Sequence, residues 1–345
     1  MRPVNSATIL GVLNLARTAL ACSGCSGPVD HVEQVRHVKR DLHNGAGLSD
    51  ATSPDGEVSI KVFDKVQYDL LAIGNHELYL AEVAYQALGE ISAYWGEKYL
   101  TSNVQILNRE TKEWQYIGNT HRYFTTKHGF RIMAFGILFN FTSNTNVSKV
   151  IPAKTMATQK WVLDVIRYPE PVDIFAVLGH NHARSTDKAS TFPIVLDAIR
   201  AVRSDTPIQF IGFEAIVIFE ILLFSTVVVQ HSSRVGETTH IFDETLINLL
   251  GRYCETLGWL SMSGFDNKNS GYSGSLPGPI GVPNPTRKAI QNSTSPFVHS
   301  RLYLDWNRRT FEYHAATRHN KNFDHHSGLA VTADITKDRK QLNLT

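Results

Sequence analysis

Short apolar runs that stop at a glycine, alternating with stretches of helical period, dominate the pattern of this chain. Asp69 to Ile73 is one such run. It ends at Gly74-Asn75 and predicts a buried strand entering a turn. From Glu77 to Lys98 the apolar positions Leu78, Val83, Ala84, Leu88, Ile91 and Tyr94 recur at roughly helical spacing, which predicts a helix. Further buried strands are predicted over Tyr99 to Ile106, Arg131 to Phe139, Val172 to Leu178 and Pro207 to Ile211, with helices over Ala153 to Tyr168 and Pro193 to Val202. Strands alternating with helices indicate an α/β sheet core. Residues 22 to 57 and 264 to 295 read as loops, Phe297 to Tyr313 alternate enough to be strands, and Lys337 to Thr345 form a polar tail.

One segment breaks the pattern. Residues 213 to 230 are apolar almost throughout, too long for a core strand and short for a membrane helix, with Glu220 near the middle. The N-terminus carries Arg2 and then a mostly apolar run from Ala7 to Ala21 ending Ala19-Leu20-Ala21, which resembles a secretory signal with a small-residue cleavage site. Asn14 and Arg17 interrupt that run. Glycosylation sequons at Asn140, Asn146, Asn292 and Asn343 are compatible with a secretory route. The two signals lean toward a secreted or vacuolar protein.

Composition narrows the picture only a little. With 345 residues the chain can form one large domain or two modest ones with a substantial core. At 42% hydrophobic residues and a net charge of +2 it is neither disordered throughout nor an electrostatic nucleic-acid binder. Cys22 and Cys25 form a C-x-x-C, but Cys254 alone cannot complete a zinc site with them. The chain holds 15 histidines, so their placement has to decide whether they bind metal.

Two placements stand out. Gly74-Asn75-His76-Glu77 directly follows a predicted strand. An Asn carbonyl there can bind a metal ion, and the neighbouring His is placed to donate to a phosphate oxygen or a leaving group. The plainer alternative is a helix start with Asn75 as its N-cap. In Val177-Leu178-Gly179-His180-Asn181-His182 a second apolar run ends in Gly-His, which strengthens the reading of His180 as a ligand; His182 reads as exposed loop. The earlier loop Asp41-Leu42-His43-Asn44-Gly45-Ala46-Gly47 offers Asp41 as a bridging carboxylate, or is simply a solvated loop. Such strand-end Asp, Asn and His residues suit a divalent centre that polarises a phosphoryl group and activates a water.

Taken together, Asp41 to Gly45, Gly47 to Thr52, Tyr68 to Tyr79, Leu100 to Gln105, Pro171 to Asp173, Gly179 to Asn181, Gly251 to Ser261 and Tyr303 to Asn307 resemble the fungal 5'-nucleotidase-like branch of the calcineurin-like metallophosphoesterases. The resemblance covers residues 41 to 212 and 231 to 345. It implies a four-layered α/β/β/α sandwich, here incomplete, around a divalent metal centre of Zn, Mn, Fe or Mg. It also implies a small phosphate-ester substrate of the nucleotide class, no nucleic-acid partner and no membrane span. It leaves the oligomeric state open.

Residue by residue, the resemblance makes Asp41 the bridging carboxylate, with Arg40 where the family has Gly. Asn75 becomes a ligand, His76 the catalytic histidine and His180 the strand-end ligand. The family's final Gly-His-x-His should follow Pro207 to Gly212. Segment 213 to 230 intervenes, after which His231 stands for the first histidine and Ser233 for the last, a poor ligand. The initial Asp-x-His is also missing, unless Asp41-Leu42-His43 is aligned there instead. The expected centre therefore holds one ion rather than two, and a catalytically impaired pseudo-phosphoesterase is the alternative function. The same resemblance reads 213 to 230 as a translated intron rather than an anchor, and expects a nucleoside-binding C-terminal domain beyond this sequence. The expected organisation is a signal-like segment at 1–21, a catalytic domain at 22–263 carrying the 213–230 insertion, and a loop plus the C-terminal part of that domain at 264–345.

Overall fold

The computed structural model describes residues 37–39, 51–126, 129–181, 188–212, 247–249, 256–263, 298–305, 308–309, 312 and 323–344. Segments 1–21, 213–230 and 264–295 lie outside the described residues.

Two sheets form the centre. The first is parallel, in the order β1 (His37–Lys39), β2 (Leu70–Ala72), β3 (Tyr99–Leu100). The second has the order β11-β10-β9-β7-β6: β7 (Arg131–Leu138), β9 (Ile174–His180), β10 (Ile208–Gly212) and β11 (Ile247–Leu249) run parallel, and β6 (His121–Thr125) closes one edge antiparallel. The pleat assigns each side chain to a layer. Leu70 and Ala72 of β2 and Leu100 of β3 meet Ile132, Ala134, Ala176, Leu178 and Ile211 between the sheets. Leu71 and Ile73 point the opposite way. They pack with Leu78 and with Ala84, Ala87, Ile91 and Trp95 of a helical run made of α2 (Ala81–Gln86), a π-helical turn (Ala87–Ser92) and α3 (Ala93–Trp95).

On the far side, Met133, Phe135, Phe175, Val177, Ile208 and Phe210 pack against α4 (Ala153–Ala157), α5 (Lys160–Ile166) and α6 (Phe192–Arg200). Helix, sheet, sheet, helix is the α/β/β/α order that the resemblance implied. Gly136 is required at the join, because a Cβ there would come within 2.4 Å of the Leu100 carbonyl oxygen.

The predicted single strand over Tyr99 to Ile106 is two strands in different sheets. β3 ends at Leu100, and β4 (Val104–Leu107) pairs antiparallel with β5 (Trp114–Tyr116) and β8 (Ser148–Val150). The residues between them, Thr101, Ser102 and Asn103, are fully buried and use their polar groups as cross-links. Ser102 exchanges two bonds with Gly136: its N–H donates to the Gly136 carbonyl at 2.7 Å, and its Oγ accepts the Gly136 N–H at 2.9 Å. The Asn103 amide accepts from the Leu138 N–H at 2.9 Å and donates to the carbonyls of Leu138 and Ile151 at 2.8 and 3.1 Å.

Other departures have equally local causes. The predicted loop over 22 to 57 contains β1, only three residues long, and leads into α1 (Glu57–Phe63). The predicted polar tail belongs to α7 (His326–Gln341), which buries only Gly328 and Val331 and is joined to the body by the exposed ion pair Lys65–Asp334. At the start of β7 and β9, Arg131 and Asp173 form a bidentate pair at 2.6 and 2.8 Å, and the Asp173 carboxylate also accepts the Arg131 N–H. Strand β12 (Thr256–Ser263) pairs antiparallel with β13 (Val298–Asp305), in the stretch predicted to be strands.

Two predictions follow from this packing. Asn103→Ala leaves two carbonyls and one N–H buried without partners, so it should cost about 3 kcal/mol in denaturant unfolding; an unchanged midpoint would contradict the cross-link. His121, stacked on Trp161 and bonded through Nδ1 to Thr120, has its basicity lowered by burial. Below its ordinary pKa of about 6.5 the unfolded chain therefore binds more protons than the native one. That contribution to stability is complete above about pH 6.5 and declines as the pH falls from there. Replacing the ring by Phe should give a smaller loss of stability from about pH 7.5 to about pH 5 than wild type shows, measured by thermal unfolding across pH.

Candidate functional site

The parallel strands deliver their C-terminal ends to one region. In the second sheet β9 ends at His180 and β10 at Gly212, with Leu178 opposite Ile211. In the first sheet β2 runs out through Ala72 and Ile73 into Gly74-Asn75, and β1 ends at Lys39, opposite Ala72 and two residues before Asp41 in sequence. Asp41 and His231 themselves lie outside the described residues. Among the described residues, no group of three or more His, Cys, Asp or Glu is arranged to hold a metal ion.

Asn75 is the most informative of the expected residues. It opens a short 3-10 turn, His76–Leu78, yet its side chain makes no capping bond. The N-cap alternative is therefore not how the amide is used. Instead the fully buried Glu77 carboxylate accepts the Gly74 N–H at 3.0 Å, which fixes the strand-to-turn reversal from within. Asn75 is 7% exposed. Its Nδ2 donates to the Tyr79 hydroxyl at 2.8 Å, while Oδ1 is buried with no hydrogen-bond partner among the described residues. A buried carbonyl left in that state costs about 1–3 kcal/mol, so a packed core seldom keeps one without a reason.

His180, 4% exposed, is joined to the Asn75 turn by a continuous row of ring contacts. His76 meets Tyr79 edge-on at 5.2 Å, Tyr79 meets Phe141 at 5.3 Å, Phe141 meets Phe139 at 5.6 Å, and Phe139 meets the His180 ring at 5.4 Å. The backbone adds to this row, since the Phe139 N–H donates to the His180 carbonyl at 2.9 Å. The turn that carries Asn75 and the half-buried His76 is thus linked to His180 by a row of ring contacts. Asn181 is taken up structurally: its amide bonds the side chain and the N–H of Thr191 at the start of α6. His182 lies outside the described residues.

Sequence reasoning missed Tyr79, Phe139 and Phe141. Phe139 and Phe141 lie just past the end of β7 and flank a single residue, and Tyr79 directly follows the 3-10 turn after Asn75. That was the signal available, but aromatic residues in such positions ordinarily read as core.

No family model matches the chain. A protein of Arthroderma benhamiae named "Secreted protein" is 47% identical over 317 residues, which are 88% of this chain and 44% of that protein. An uncharacterized protein of Schizosaccharomyces pombe is 35% identical over 311 residues, 88% of this chain and 47% of its own length. The crystal structure of a 5'-nucleotidase from Candida albicans aligns with a TM-score of 0.72 at 28% identity, over 98% of this chain and 52% of that one. The chain spans about half the length of the relatives it matches. Over that span its fold is the mixed α/β fold of a 5'-nucleotidase.

Proposed function

We propose that this chain carries the phosphoester-hydrolysing part of a metal-dependent, nucleotidase-like hydrolase acting on a small phosphate ester of the nucleotide class. The observation that carries this reading is the buried Oδ1 of Asn75, which has no hydrogen-bond partner among the described residues and whose turn is tied through a row of aromatic rings to the strand-end His180. A neutral amide oxygen and an imidazole are suitable donors for a divalent ion such as Zn, Mn, Fe or Mg. Asp41 and His231 would complete its ligand set from the same family pattern. When bound, such an ion polarises the phosphoryl group and lowers the pKa of a water. The protein's own contribution is to hold the Asn75 amide and the His180 ring at the strand ends. His76, half-buried against Tyr79, stands where it can donate to a phosphate oxygen or to the leaving group.

Ser233, at the position where the resemblance places the last metal-binding histidine, favours one ion rather than two. The same observation supports the second reading, an impaired pseudo-phosphoesterase that binds at most one ion. A secretory route is part of the proposal. One relative is named a secreted protein. The sequon residues Asn140, Asn146 and Asn343 are exposed, as glycosylation requires. Among the described residues no helix is long and apolar enough to cross a membrane.

The test is metal analysis of the purified chain beside a phosphatase assay on a nucleoside monophosphate, in wild type and Asn75→Ala. Wild type should carry about one divalent ion per chain and hydrolyse the ester in a metal-dependent way. The variant should lose more than about 100-fold in activity. Metal bound without turnover would select the pseudo-phosphoesterase. Equal metal content and equal activity in the two proteins would remove the proposed site.

A further inference from the structure

We infer that Tyr79 is a positioning residue for the proposed metal centre: its hydroxyl oxygen receives the Asn75 amide nitrogen and so commits the amide oxygen to the ion. The inference rests on the reading of Asn75 as a ligand and adds how that ligand is aimed. A carboxamide is nearly symmetric in shape, and turning it over exchanges a donor for an acceptor. Only one orientation can serve a cation. That orientation needs an acceptor for Nδ2, and the Tyr79 hydroxyl supplies one at 2.8 Å. Tyr79 is 44% exposed, so its own O–H proton can be given to solvent while the oxygen accepts from Asn75. The buried Oδ1 is then left without a partner among the described residues, as a metal-directed carbonyl requires.

The ring of Tyr79 is itself held in place. It stands edge-on between His76 at 5.2 Å and Phe141 at 5.3 Å, with an interplanar angle near perpendicular in each contact. One residue four positions after Asn75 therefore fixes the amide through its hydroxyl and abuts His76 through its ring. The two effects separate chemically: Phe at position 79 keeps the ring contacts and deletes only the acceptor for Nδ2. In that variant the amide is free to turn over, and it must pay for its orientation when a cation binds.

Isothermal titration of the full chain with Mn2+ tests this, alongside thermal unfolding without metal. Tyr79→Phe should bind Mn2+ about 10-fold more weakly than wild type while still unfolding in a single cooperative transition without metal. In the Asn75→Ala background the same Tyr79→Phe change should have no further effect on Mn2+ affinity, since there is no amide left to orient. Equal affinity of wild type and Tyr79→Phe would overturn the inference while leaving Asn75 as a ligand. An undiminished effect of Tyr79→Phe in the Asn75→Ala background would overturn it too, by showing that the hydroxyl acts through something other than the amide. A wild-type chain that takes up no Mn2+ would overturn the ligand reading and this inference with it.

Discussion

The site depends on a join between layers made by neutral polar groups. Ser102 and Asn103 lie in the link from β3 to β4 and take hold of the β7 backbone at Gly136 and Leu138. Leu138 is followed by Phe139, whose N–H reaches the carbonyl of His180 and whose ring touches the His180 ring. From Asn103 to His180 there are thus only two backbone steps. On the other side of the same link, β3 pairs with β2, which runs out into Asn75. Hydrophobic burial brings the sheets together without direction. The amide and hydroxyl bonds supply the direction, and a small displacement of this link would be felt at both strand ends.

The legible parts of the fold were those in which a single physical signal acts alone. β2, β7, β9 and β10 are largely buried on both faces, so they appear as mostly apolar runs, and each lies close to its predicted limits. The run from Tyr99 to Ile106 misled because Leu100 and Val104 are both buried, and nothing in the spelling of Thr-Ser-Asn tells that these three side chains cross-link strands rather than continue one. β5 and β6 are mostly half-exposed, with too few buried positions to show a period. α7 buries two residues out of its whole length, so its pattern is that of a solvated segment.

The site was legible to the extent that chemistry was spelled at strand ends. Gly-Asn-His and Gly-His pointed to Asn75, His76 and His180, and a row of ring contacts links the turn of the first two to the third. What the spelling did not disclose is how they are held, because that work falls to aromatic residues. Tyr79, Phe139 and Phe141 carry no metal or phosphate chemistry of their own, and only contacts across the layers reveal that they form a continuous row. Asn75 also shows a tension that is common at functional sites: its buried carbonyl is locally unfavourable, and neighbouring bonds from Glu77 and Tyr79 keep the turn in place regardless.

Gly136 has a consequence for how this architecture can vary. Its backbone lies so near the Leu100 carbonyl that the separation of the two sheets at this point is set by main chain meeting main chain. Side chains elsewhere in the interlayer, such as Leu70, Ala134 or Leu178, can be exchanged for others of similar volume without altering that separation. The glycine acts as a mechanical stop. It lets the surrounding core change in composition while the two main chains keep the same close approach.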